Sequence, residues 1–175
     1  MSIRSRAAHL LDQGFLALLK QSLHAGDRRI SLTPVFHVER LHVDAHFEDL
    51  LSFCRDFRQM TGVRAVLTCM TPHSPILARA IAAEAFEADR YWERLARLKE
   101  HGILGLHGHF VRGFDGERPR PMHCCFYDLG HVQRQIDTEL DALVARGLIA
   151  ETNRVYSGGW WFTSRPLRAF LADRG

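Results

Sequence analysis

His107 and His109 stand one residue apart at the end of the apolar run Ile103-Leu-Gly-Leu-His-Gly-His109. Paired imidazoles bind metal ions or move protons. The run follows a helix stop, Lys99-Glu-His-Gly102, and reads as a buried strand. Residues i and i+2 of a strand share a face, so both rings point the same way. A second segment, Arg29-Ile-Ser-Leu-Thr-Pro-Val-Phe-His-Val-Glu39, ends alike, with His37 and Glu39 at i and i+2. One carboxylate and two or three imidazoles at neighbouring strand ends form a ligand set for a divalent metal. For the His107/His109 pair alone, the alternative is one histidine capping the strand and the other solvated. Pro34 cannot donate to a ladder, which puts the first strand at an edge or a bulge.

The elements that would position these side chains follow from periodicity. Residues 6–24 carry Leu11, Phe15, Leu18 and Leu19 on one helical stripe, and the His37/Glu39 strand follows. Asp44 is placed to cap a helix through Phe47, Leu50, Leu51, Cys54 and Phe57, which Gly62 stops. Val63–Met70 reads as a second strand, Ser74-Pro75 as a helix opening, and 84–101 as a helix with Trp92, Leu95 and Leu98 inward. After the two-histidine strand, Val111–Gly130 reads as a long loop rich in Gly, Pro and Arg. A helix from His131 to Arg146, a short strand near Arg154–Tyr156 and a helix from Ser164 complete the chain. Four strand–helix alternations predict an α/β fold, a parallel sheet of four to five strands with right-handed crossovers. Its strands then end on one edge, where ligands bind in such sheets.

Composition narrows the function classes. A chain of 175 residues, 46% hydrophobic and 25% charged, reads as one globular domain: an N-terminal helix in 1–28 and βα repeats over 29–175. The formal charge is only +3 and the basic residues are scattered among acids, so no nucleic-acid face is expected. The four cysteines lack disulfide-framework spacing, which fits a reducing compartment. His123-Cys124-Cys125 has no second Cys/His pair nearby to complete a structural zinc site. The stretch Phe15–Leu19 is interrupted by Lys20 and suits a helix face better than a signal sequence, and no membrane span is visible. A cytoplasmic location is the expectation.

The order of elements resembles that of the polysaccharide deacetylase superfamily (carbohydrate esterase family 4, the NodB homology domain), in particular its divergent O-antigen-cluster branch. Val63-Arg-Ala-Val-Leu-Thr68 is similar to the family's second strand, and His101-Gly-Ile-Leu-Gly-Leu-His107 to its histidine-bearing segment. Tyr156-Ser-Gly-Gly-Trp-Trp161 falls where the family has a substrate-side turn. The resemblance implies an incomplete (β/α) deacetylase-type barrel and a metal-dependent hydrolase that removes an acetyl group from an N-acetylated sugar or surface-polysaccharide precursor. It implies a divalent metal, zinc by expectation, held by Glu39, His107 and His109, with His109 replacing a histidine the family carries at the position of Val111. Glu39 and His37 stand where the family has two aspartates, giving His37 a role as ligand or base beside Glu39. Asp44 is a second candidate base, against its role as helix cap, and His42 and His46 read as solvated helix-entry residues. Tyr156, Gly158, Gly159 and Trp160 are the implied substrate-side residues: the glycines for close backbone approach, Trp160 for an apolar face to a sugar ring.

Two departures set the competing reading. His37 stands where the family has an aspartate, and no counterpart of the family's general acid is visible in the sequence. Those features favour a catalytically degenerate carbohydrate-binding or accessory protein. Four strands cannot close a barrel, and an open sheet predicts either a homodimer that covers the open side or weak, aggregation-prone behaviour with little deacetylase activity.

Overall fold

The computed structural model describes residues 34–123, 127–152 and 154–174. The helix expected over 6–24, the first part of the leading strand and Cys124-Cys125 lie outside the described residues.

Val35–Val38 forms β1, an outer strand, and Pro34 falls just before it, where a missing N–H costs no ladder bond. Helix α1 spans Asp44–Thr61 and buries Phe47, Leu51, Cys54 and Phe57, one helical stripe. Gly62, at φ 73°, ends it, donating its N–H to the Arg58 carbonyl at 2.9 Å. Asp44 does not cap this helix: Val43 holds the cap position, and the Asp44 carboxylate instead accepts hydrogen bonds from Arg94 and, at 3.1 Å, Arg90. The Arg94 guanidinium lies over the Phe47 ring and is buried, so it needs a counter-charge more than the helix needs a cap. That pairing holds the Asp44 carboxyl below its usual pKa and removes Asp44 from the candidate bases.

β2 (Ala65–Cys69) is buried along its whole length, flanked by a strand on either side. Pro75 opens α2 (Pro75–Ala83), Ala85 breaks the backbone at φ 49°, and α3 (Ala88–Lys99) buries Trp92, Leu95 and Leu98 as expected. β3 covers Gly102–Gly108. Residues 111–130 are not one long loop. They begin with a hairpin, β4 (Val111–Asp115) antiparallel to β5 (Arg118–Pro121), turned at Gly116 with φ 56°. The Asp115-Gly116 turn signal was present amid the arginines and prolines that suggested irregular chain. Helix α4 (Leu129–Ala145) is capped by Asp128, which accepts the His131 N–H at 3.0 Å. β6 (Tyr156–Gly158) lies two residues later than expected, runs into a 3-10 turn at Gly159–Trp161, and precedes α5 (Arg165–Asp173).

The main sheet has the order β1-β2-β3-β6 with every pair parallel. Each strand is added beside the last without reversal, so the sheet curls as an incomplete α/β barrel with flanking helices. One face packs its Val38, Leu67, Cys69, Leu104 and Leu106 against helical Leu51, Leu95, Ile136 and Leu143 in a single core. Alternate residues Val35, His37 and Ile103 turn to the opposite face and are exposed. β6 approaches closely because residue 105 is glycine: a Cβ there would lie 2.4 Å from the Val155 carbonyl oxygen. Among the described residues no helix is long and apolar enough to cross a membrane.

Candidate metal centre

The parallel register brings the two strand-end pairs together. His37 is level with Thr68 and Gly105, and His107 stands two residues further along β3, so the polar ends of β1 and β3 share one edge. Glu39, just past β1, reaches across: its Oε1 lies 3.1 Å from His107 Nε2 and 3.1 Å from His109 Nε2. The two Nε2 atoms are 2.9 Å apart. Three atoms that can each donate a lone pair thus form a nearly equilateral triangle. Both histidines are buried, while the Glu39 side chain is 48% exposed, so the triangle opens toward solvent on the carboxylate side.

This donor set fits a divalent ion. Ligand bonds of about 2.0–2.1 Å place tetrahedral ligand atoms about 3.3 Å apart and octahedral neighbours about 3.0 Å apart. The triangle is therefore the size of one face of either shell, with the remaining positions left for water or substrate. Without a cation the same geometry brings two imidazole nitrogens and a carboxylate oxygen together with few protons to share among them. Two imidazoles and a carboxylate suit zinc and several other first-row ions, so the ligands alone do not select among them.

Surrounding groups favour the ligating forms. His107 Nδ1 lies 2.8 Å from Ser157 Oγ and 3.2 Å from the Ser157 carbonyl, so Nδ1 carries the proton and Nε2 keeps its lone pair toward the triangle. Ser157 is fixed in turn by Thr68 Oγ1 at 2.7 Å. Burial lowers the His107 pKa, and neighbouring His109 lowers it further against the opposing effect of Glu39. For Glu39 burial works the other way, but the two imidazoles beside it outweigh that and hold the carboxyl below its usual value.

The remaining sequence candidates surround this triangle. His37 is exposed and stacks on His107 with ring centroids 4.4 Å apart, beside the triad without joining its ligand atoms. Trp160 sets its ring edge-on to His109 at 4.5 Å and remains 47% exposed at the rim. Its backbone is left-handed, at φ 50° and ψ 30°, a strained geometry for tryptophan that aims the indole at the site. The two glycines approach protein closely: a Cβ on Gly158 would lie 2.1 Å from the Phe162 carbonyl oxygen, and one on Gly159 only 2.4 Å from the His109 ring. Tyr156 turns its hydroxyl inward, where it is buried without a hydrogen-bond partner among the described residues. His46 is exposed as expected. His42 is not solvated: it is buried, with Nε2 3.4 Å from Glu84 and its ring edge-to-face with Phe86.

Sequence reading missed the residues that support the ligands from behind. Ser157 and Thr68 lie on strands without any special spacing. Glu139 did leave a signal, being a carboxylate three residues after Ile136 on the buried stripe of α4.

The fit at Gly159 gives a direct prediction. Gly159→Ala should displace the His109 ring and weaken Zn2+ binding at least tenfold. The new methyl costs about 1–3 kcal/mol of overpacking unless the ring moves. Equilibrium dialysis against Zn2+ checks it; wild-type affinity in the alanine variant would show that the ring is not held by this contact.

Fold and site together define an incomplete α/β barrel with a two-histidine, one-carboxylate cluster at the carboxyl edge of its sheet. Comparison with protein-family models, curated proteins and solved structures finds no match to this chain.

Proposed function

We propose that this chain is a metal-dependent hydrolase that removes the acetyl group from an N-acetylated sugar or glycan precursor. The observation that carries the metal-dependent part is the Glu39–His107–His109 triangle, with edges of 2.9–3.1 Å and an open side. The sugar acetamide as substrate rests on the resemblance of the strand-end segments to the polysaccharide deacetylases.

An acetamide is a weak electrophile, and its hydrolysis needs an activated water and a stabilised oxyanion. A divalent ion on the triad supplies both, as a Lewis acid that also lowers the pKa of bound water toward ~7. The protein residues have distinct tasks. Glu39, His107 and His109 hold the ion, and Ser157 keeps His107 in the ligating tautomer. His37, exposed beside His107, accepts the proton of the attacking water. Trp160 offers its exposed face to the sugar ring at the rim.

The test is release of acetate from N-acetylglucosamine oligomers and from nucleotide-linked acetamido sugars by Zn2+-loaded protein. Turnover that chelation abolishes and Zn2+ restores is the expected result. Bound metal with no acetate release from any acetamide supports the carbohydrate-binding reading instead. The same ligand set also serves Fe(II) in oxygen chemistry, and elemental analysis of the purified protein separates that alternative.

A further inference from the structure

The two histidines of the triad are held by different devices. His107 has Ser157 behind its Nδ1, the usual support for a metal-binding imidazole. His109 has none: its Nδ1 is buried without a hydrogen-bond partner among the described residues. The β3–β6 ladder ends at Gly108, so among the described residues no strand pairs with His109. Its carbonyl instead accepts a hydrogen bond at 3.2 Å from Gln135 Nε2 on α4. The same nitrogen donates at 3.1 Å to Glu139 Oε1, one helical turn on, and Glu139 Oε2 accepts from Thr71 Oγ1 at 2.7 Å. Glu139 is fully buried.

We propose that Gln135, braced by Glu139 and Thr71, is a positioning residue that sets the backbone of His109 and thereby its place in the metal centre. The chain of bonds ties the loop after β2 to α4, and α4 to the residue after β3. A buried carboxyl is costly to keep, and here both of its oxygens are spent on orienting an amide and a hydroxyl. The His109 ring is confined laterally by Trp160 and the surface of Gly159, while Gln135 fixes the peptide from which the ring projects. Gln135 touches neither ion nor substrate, and it acts through His109 alone. This inference rests on the triad being a metal centre.

The experiment is a Zn2+ titration of wild type, Gln135→Met and Glu139→Gln against a chromophoric chelator, with visible spectra of the Co2+-loaded proteins. Methionine matches glutamine in length and fills the space without donating. Q135M should bind Zn2+ about 10- to 100-fold more weakly, the usual loss when a ligand's support is removed. Its Co2+ spectrum at saturation should also differ from wild type, which a merely less stable fold would not produce. E139Q should stay close to wild type, since its amide still accepts from Gln135 and can donate to Thr71. If Q135M fails to fold, Gln135→Ala, which leaves room for a water, replaces it. Wild-type affinity and spectrum in the Gln135 variant would overturn the inference while leaving the triad intact. An E139Q loss as large as that of Q135M would overturn the brace as described. Absence of Zn2+ binding to wild type would instead remove the metal-centre reading itself.

Discussion

His107→Ala is expected to abolish tight metal binding, with Zn2+ affinity falling by well over 100-fold. Removing only a supporting residue costs about 10–100-fold, and a direct ligand must cost more. The fold should survive. The ring is buried at a strand end, but the Ser157 hydroxyl that it leaves remains bonded to Thr68 at 2.7 Å. Without metal the variant should lose little stability, because it also relieves the crowding of the two Nε2 atoms, 2.9 Å apart. The contrast therefore lies in the response to Zn2+. Wild type should gain about 2.7 kcal/mol at a free Zn2+ concentration 100 times its Kd, and the variant less than about 0.4 kcal/mol at that concentration. Thermal melts with and without Zn2+ read this directly. An equal rise in Tm for both proteins would show that His107 is not a ligand. On the proposed deacetylase reading, loss of acetate release should accompany loss of metal.

A second large effect concerns pH and the buried Glu139. Burial raises its pKa from 4.5 to about 7, against the hydrogen bonds from Thr71 and Gln135. The folded state thus holds a proton that the unfolded chain releases at lower pH. Between about pH 4.5 and 7 the native state binds more protons than the unfolded state, so this group's contribution to stability falls as pH rises. It is fully present below pH 4.5 and lost above 7. The total is on the order of 3 kcal/mol, because each tenfold change in proton affinity is worth about 1.4 kcal/mol. Glu139→Gln cannot ionise, and the stability difference between variant and wild type should grow by about that amount from pH 4.5 to 8. Urea unfolding at a series of pH values measures the difference, in which the other titrating groups largely cancel. A flat difference would mean that Glu139 ionises in the fold as easily as in the open chain.

Much of the fold was legible because it depends on local pattern. The apolar stripe of α1, the Gly62 stop, the Ser74-Pro75 opening and the unbroken apolar run of β2 each carry their own signal. Alternation of such segments required a parallel sheet, and a parallel sheet puts its strand ends on one edge. The ligand candidates followed from that: i, i+2 spacing put His107 with His109 and His37 with Glu39, and topology made the two pairs neighbours. The hairpin at 111–121 was hidden by composition: arginine, proline and glycine dominate it, and prolines are tolerated in a two-stranded ribbon, where each strand is an edge.

What the tertiary structure alone decided is which side chains meet. His37 and Glu39 have the same claim on the site by spacing, yet Glu39 reaches the two Nε2 atoms and His37 stacks beside them. Asp44 had a sound capping position and lost it to a buried arginine from a helix 50 residues away in sequence. Gln135 is 26 residues from the carbonyl it holds, and Ser157 is 50 from the ring it orients. Contacts of that kind depend on strand register and helix placement to within an ångström. Sequence period fixes which face a residue occupies, and only the packed core fixes what it touches there.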